Sequence, residues 1–146
     1  MQYFDKAELG RTIILRLEQG DYVLESIRKV LQETGITDGY VVSGIGTLDY
    51  CVLHMVTTTS YPPVECYPRW SDEPLELVSI DGIIANGEPH LHTVISDKDK
   101  AIGGHLEPGC RILYLGEIVI QEIKGQALER NRNIKNILEL KPKVGG

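Results

Sequence analysis

The feature that most constrains the fold is a long apolar segment near the end of the chain, residues 111–123. Its side chains are nearly all apolar from residue 112 to residue 120. Such a run predicts a strand buried on both faces, by the core and by a second surface. Glu117 interrupts it, and a carboxylate in an apolar strand needs a partner. Glu117 could be held by a backbone or arginine partner, orient a metal-ligating histidine, or act as a general base.

The rest of the chain predicts mostly strands. One helix is expected from an Asp21 cap to about Thr34, because Leu24, Ile27, Val30 and Leu31 recur at helical spacing before Gly35. Strands are predicted over residues 12–18, 40–42, 48–58, 75–85 (with a bulge or kink at Gly82), 90–96 and 101–106. The predicted class is α+β, a mostly antiparallel sheet packed with one main helix.

Length and composition fit this class. With 146 residues, 42% of them hydrophobic, the chain is expected to form one domain over residues 1–146. Its core is expected at about residues 10–125 and a tail at 126–146, where residues 134–140 could add a closing strand. Residues 60–74 hold four of the seven prolines and predict a long loop.

Charge and cysteine content exclude several functions. The net charge of −6 opposes non-specific nucleic-acid binding. Three cysteines without a C-x-x-C pair argue against a disulfide framework or a thiolate zinc site, and Cys51 is expected to be buried. We find no apolar run long enough to span a membrane and no apolar signal segment in residues 1–10. A cytoplasmic protein is therefore expected.

Three of the four histidines lie within sixteen positions. His90 and His92 share one face of a strand, because side chains alternate along it. If residues 97–100 form a hairpin loop, paired residues sum to 197, and His92 lies opposite His105. This register also gathers the apolar side chains on the other face. By the same arithmetic His90 pairs with Glu107.

Three imidazoles converging from two strands suit Zn²⁺ best, with Ni²⁺, Cu²⁺ or Fe²⁺ as alternatives. His90, His92 and His105 are thus the predicted metal ligands, against the alternative of a solvated polar strand face. Further ligands or supporting groups could be Glu107, Glu88 or Cys110. The fourth histidine, His54, is expected to be structural. An open zinc position could activate a water molecule for hydrolysis, with Glu107 or Glu117 as the base.

The glycines of Ser43-Gly44-Ile45-Gly46 are not part of a G-x-G-x-x-G motif, and no helix follows them. They are expected to serve a tight turn or a close approach of two backbones.

Six motifs in order resemble the plants-and-prokaryotes-conserved (PPC) domain family, over about residues 10 to 125. They are residues 16–21, residues 43–48, residues 76–82, Pro89-His90-Leu91-His92, Gly103-Gly104-His105-Leu106 with Gly109, and Glu117-Ile118-Val119-Ile120.

The resemblance implies an antiparallel sheet packed with one main helix, a homotrimer, and a histidine metal site at His90, His92 and His105. In plants the domain follows AT-hook motifs in DNA-binding regulators. This chain has no Arg-Gly-Arg-Pro hook, so direct DNA binding is not expected. The expected function is therefore a trimeric, zinc-binding domain that takes a small ligand or a partner. The alternatives are a zinc-dependent hydrolase and a DNA-associated regulator.

Overall fold

The computed structural model describes residues 1–143, which form one helix and nine strands. The helix α1 spans Val23–Thr34. The strands are β1 (Glu8–Glu18), β2 (Gly39–Val56), β3 (Glu65–Cys66), β4 (Arg69–Ala85), β5 (Glu88–Ser96), β6 (Ala101–Leu106), β7 (Arg111–Lys124), β8 (Leu128–Arg132) and β9 (Leu138–Pro142).

Seven strands form one antiparallel sheet in the order β1-β7-β2-β4-β5-β6, with β3 paired to β2. The strand β2 pairs with three strands besides β3: its first part pairs with β7 and β4, while Leu53 and His54 pair with β6. Strands β2, β4, β5 and β6 therefore close into a ring, so that both ends of this part of the sheet are paired.

The helix covers the inner face of the sheet and packs against β5 and β7. Its buried side chains are Val23, Leu24, Ile27 and Leu31, and they join a core of strand residues that includes Leu48, Ile80, Leu91, Ile112 and Ile118. The predicted helix and its end are confirmed, because Gly35 adopts a left-handed conformation and its N–H bonds Leu31 O.

The predicted cap is wrong, because Tyr22 occupies the N-cap position and makes no side-chain capping bond. The Asp21 carboxylate instead accepts a bond from the Glu18 N–H at 2.8 Å. The carboxylate thus stabilises the turn between β1 and α1.

Three strand predictions also need correction. Residues 40–42 and 48–58 were expected as two strands, but β2 runs unbroken from Gly39 to Val56. The predicted loop over residues 60–74 is shorter, since β3 and the first residues of β4 occupy part of it. The closing strand expected over residues 134–140 forms only in part, as β9, and it pairs with β8 in a separate two-stranded hairpin and does not join the main sheet.

Close contacts, with backbone at Gly46 and with a side chain at Gly44, explain why β2 contains two glycines. A Cβ on Gly46 would lie 2.5 Å from Leu115 O, and one on Gly44 would lie 2.9 Å from Ile80. The close-approach interpretation of this motif is therefore the correct one, and no turn occurs there.

Gly82 pairs in register with both Val41 and Leu91, so the predicted bulge is not at this residue. The shift in β4 lies between Leu77 and Ser79. Gly82 instead has φ 149°, and a Cβ built on it would lie 2.1 Å from His90 O. The glycine therefore allows β4 to approach the strand that carries the histidines.

The apolar strand β7 lies between β1 and β2, but only one of its faces is buried within the chain. Ile112, Ile118 and Ile120 are in the core. On the other face Tyr114 is 68% exposed and Leu115 50% exposed. The second covering surface expected for this strand is not supplied by residues 1–143.

The fold is thus mostly antiparallel sheet with one short helix, and the α+β class describes it only loosely. Among the described residues, no helix has the length and apolar character needed to cross a bilayer.

Gly82→Ala should lower the free energy of unfolding by about 2 kcal/mol or more, because the new methyl group meets a backbone oxygen at an unfavourable φ. Gly103→Ala is the matched control, since its Cβ would meet only ordinary contacts at 3.4 Å and beyond. Chemical denaturation of both variants checks this, and equal stability of the two would contradict it.

Glu122 generates a second prediction, on acid stability. The Arg11 side chain and N–H bond its carboxylate, the side chain at 2.8 and 2.9 Å, and hold its pKa at about 2, below the ordinary 4.5. A lowered pKa in the folded state stabilises the protein above about pH 4.5, and this stabilisation is lost as the pH falls towards about 2. Glu122→Gln should therefore be less stable at pH 7 and show a flatter stability profile below pH 5.

Thermal unfolding between pH 3 and pH 7 measures this profile. Glu73→Gln, which changes an exposed carboxylate on β4, is the control and should follow the wild type. A Glu122→Gln profile parallel to that of the wild type would exclude the proposed contribution of the Arg11 pair.

Candidate metal centre

The β5–β6 hairpin has the register that the sequence predicts. Ser96 pairs with Ala101, and His92 lies directly opposite His105. His90 is two residues before His92 on the same face, as the alternation of a strand requires. The pairing in this hairpin is described only as far as His92 and His105, and it does not include the predicted pair of His90 with Glu107.

The three predicted ligands form a cluster. The ring centres of His90 and His92 are 5.5 Å apart, those of His90 and His105 are 5.0 Å apart, and those of His92 and His105 are 5.5 Å apart. Imidazoles that bind one tetrahedral zinc through Zn–N bonds of about 2.0–2.1 Å have ring centres about 5 Å apart. The spacing of the rings therefore suits a shared ion.

Closure of the sheet brings the fourth histidine to the same place. His54 of β2 pairs with His105 of β6, and their ring centres lie 5.8 Å apart. Its ring stacks on Tyr67 at 4.8 Å. The sequence predicts a structural role for His54 and gives no sign of this position, because His54 and His105 are 51 residues apart in the sequence.

Glu107 connects the two histidines. Its Oε1 lies 3.1 Å from His105 Nδ1 and 3.7 Å from His54 Nδ1. On the other side of the His54 ring, Nε2 is buried and makes no hydrogen bond among the described residues, although Glu65 Oε1 is 3.5 Å away. An unpartnered buried imidazole nitrogen is costly unless something binds it.

His54, His105 and Glu107 each offer a ligand atom, and these atoms all lie within 4.8 Å of one another. Two histidines and a glutamate are a donor set that zinc uses in proteins. The structure therefore holds a candidate metal site, and His105 belongs both to this group and to the cluster with His90 and His92.

The electrostatics favour neutral rings. Burial lowers the pKa of His90, and the nearby charges of Arg130, His105 and His92 lower it further. Burial also lowers the pKa of His105, although Glu107 opposes this effect. Neutral imidazole is the form that binds metals, so both rings are ready to act as ligands at neutral pH.

Two other candidate residues lie elsewhere. Cys110 is fully buried, its sulfur 3.3 Å from that of Cys51, which confirms that Cys51 is buried and places the Cys110 thiol in the core. Glu117 is exposed and lies opposite Ile45 and Arg16 in the sheet. Glu117 lines neither of the clefts beside the histidines.

Two clefts open at His54, His90 and His105. One, of about 550 Å³, is lined by all four histidines together with Met55, Val56, Gly103 and Gly104. The other, of about 510 Å³, lies between His54, His90 and His105 on one side and α1 and the β8–β9 hairpin on the other. Glu88, the remaining predicted ligand, lines this second cleft and pairs with Arg28. Small molecules can therefore reach the cluster from two directions.

The fold and the cluster together define an antiparallel-sheet domain with a histidine-rich centre. The family model of the Plants and Prokaryotes Conserved (PCC) domain matches residues 4–124. The chain belongs to this family, which confirms the resemblance inferred from its motifs.

Solved structures agree. The chain is 26% identical to the metal-containing protein AF0104 from Archaeoglobus fulgidus, with a TM-score of 0.77 and coverage of 94% of this chain and 96% of the other. It is 25% identical to a plant- and prokaryote-conserved (PPC) protein from Pyrococcus horikoshii, with a TM-score of 0.77 and coverage of 96% and 97%. A hypothetical protein from Salmonella at 23% identity, with a TM-score of 0.78 and coverage of 98% of both chains, shows the shared fold alone.

Curated relatives are much longer. The chain is 28% identical over 109 residues to the bifunctional protein GlmU of Synechococcus sp. strain JA-2-3B'a(2-13), and 29% identical over 113 residues to that of strain JA-3-3Ab. These matches cover 74% and 77% of this chain but 16% and 17% of the relatives. The chain thus spans about a sixth of those proteins.

Proposed function

We propose that this chain is a metal-binding domain that holds one zinc ion on His90, His92 and His105 and presents it to a small ligand or partner. The observation that carries the proposal is the convergence of the three rings at centre distances of 5.0–5.5 Å. The similarity to a metal-containing protein of the same fold supports it.

Glu107 has a defined role in this proposal. Because its carboxylate lies 3.1 Å from His105 Nδ1, the other nitrogen of that ring is left for the ion. A carboxylate on the far nitrogen of a ligating histidine fixes the ring and raises its basicity. The resulting group has three protein ligands and leaves a coordination position open towards the clefts.

The alternative hydrolase needs a carboxylate that can accept a proton near the open position. Glu107 is next to His105 and His54, while Glu117 lies on the opposite, exposed part of the sheet. Glu107 is thus the nearer of the two candidate bases, but its carboxylate is already bonded to His105 Nδ1, and we therefore favour ligand or partner binding over hydrolysis. The DNA-associated alternative has the weakest support, because the net charge is −6.

Mass spectrometry of tag-free protein tests the ligand set. The wild type should carry about one zinc per chain, and the combined variant His90→Ala, His92→Ala, His105→Ala should carry none. Glu107→Gln should bind about 10–100-fold more weakly, because it loses the carboxylate that orients His105. His54→Ala should keep the ion.

Loss of the ion in His54→Ala, with retention in a His90→Ala, His92→Ala double variant, would place it instead on His54, His105 and Glu107. Absence of metal from the wild type, even after addition of zinc, would refute the proposal. Circular dichroism of each variant controls for unfolding.

We further propose that the exposed apolar face of β7 packs against two other copies in a homotrimer. Tyr114, Leu115, Ile45 and Val78 form an apolar patch on the outer side of the sheet, and all four are about half exposed or more. Such a patch on a folded domain marks an interaction surface. A second copy would supply the second surface that the apolar strand predicts.

Light scattering after size-exclusion chromatography should give about three times the 16.3 kDa of one chain. Tyr114→Glu should shift the mass towards the monomer, since it places a charge in the apolar interface. Ile134→Glu, which alters a fully exposed residue of the β8–β9 hairpin, is the control and should remain trimeric. A monomeric wild type at micromolar concentration would contradict the trimer.

A further inference from the structure

The C-terminal hairpin reaches the second cleft beside the histidines. Arg130 and Arg132 of β8 and Leu138 of β9 line this cleft, opposite His90 and His105. The hairpin lies after residue 124, where the family match ends. One wall of the cleft therefore comes from a segment outside the part of the chain that the family model matches.

Arg28 and Arg130, which both line this cleft, have different hydrogen-bond partners. The guanidinium of Arg28 pairs with the Glu88 carboxylate. Arg130, by contrast, donates to two backbone carbonyls, Ile83 O at 2.9 Å and Glu88 O at 3.2 Å. No carboxylate of residues 1–143 forms an ion pair with Arg130.

Arg130 therefore brings to the cleft a charge that no direct ion pair neutralises, although the carboxylates of Glu65, Glu88 and Glu107 also line the cleft. A guanidinium has five N–H donors, and the two carbonyl bonds leave further donors available. The side chain is half-buried, and removing a charge from water is unfavourable unless an opposite charge compensates. Since the carbonyl bonds fix the guanidinium in place, it can receive an anion with little loss of side-chain freedom.

The geometry points to an oxyanion subsite in this cleft: we propose that Arg130 binds the carboxylate or phosphate group of a small ligand beside His90 and His105. The planar fork of a guanidinium matches both groups through paired hydrogen bonds. The inference deepens the proposed function, because a zinc ion on the histidines would add a second positive charge to the same cleft. It also rests on that function for the choice of a ligand that faces the metal.

Isothermal titration calorimetry with inorganic phosphate and with oxalate tests the subsite and separates the two chemistries. The full-length protein is measured with zinc and after removal of zinc. We expect Arg130→Gln to weaken binding of the better probe at least tenfold. Arg16→Gln, which changes an exposed arginine of β1 paired with Glu18, should bind like the wild type.

Metal content measured on the same samples separates this proposal from the previous one. Arg130→Gln should keep its zinc while losing the anion. A wild type that takes up no zinc even when zinc is added, but still binds the probe through Arg130, would retain the anion subsite and refute the metal site. Equal binding by wild type and Arg130→Gln, or no binding of either probe to the zinc-loaded wild type, would overturn the subsite.

Arg130 also anchors the hairpin, so its loss could act through unfolding. Arg130→Lys keeps the charge but not the planar guanidinium, and it should weaken binding by about three- to tenfold while thermal unfolding shows that the variant is folded. If Arg130→Gln unfolds the hairpin, this variant decides the question. Unaltered affinity in a folded Arg130→Lys would overturn the paired hydrogen bonds that the proposal assigns to the guanidinium.

Discussion

Pairing along β2 is the constraint on which the rest of the structure depends. This one strand pairs with β7 and β4 and, at its end, with β6. Glycines at positions 44 and 46 let neighbouring side chains and backbone come within contact of it. Without the pairing of β2 with β6, the edge of β6 would be unpaired, and the ring formed by β2, β4, β5 and β6 would not close.

Local patterns predicted much of this fold. The helix over residues 23–34, the end at Gly35 and the β5–β6 register all follow from spacing within about thirty residues. The unbroken course of β2 could not be predicted in the same way, because Gly44 and Gly46 favour a turn unless a close neighbour is known. The start of β4 at Arg69 could not be predicted, because Pro68 and Pro74 usually indicate a loop.

The candidate site shows the same division. His92 opposite His105 is a local consequence of a four-residue hairpin loop, and arithmetic alone predicts it. The approach of His54 depends on sheet closure between distant segments, and no short-range pattern encodes it. Glu117 was predicted to need a partner because its neighbours in the sequence are apolar. Alternation along the strand places it on the outer face, where a carboxylate needs no buried partner.

The position of His105 has a consequence for folding. This residue pairs with β5 on one side and with β2 on the other. Any ligand held jointly by His54 and His105 would tie together chain segments that lie 51 positions apart. Like a crosslink, it would make separation of β6 from β2 more costly, by an amount that rises with the logarithm of the length of the loop it closes, and it would slow the opening of the ring of strands.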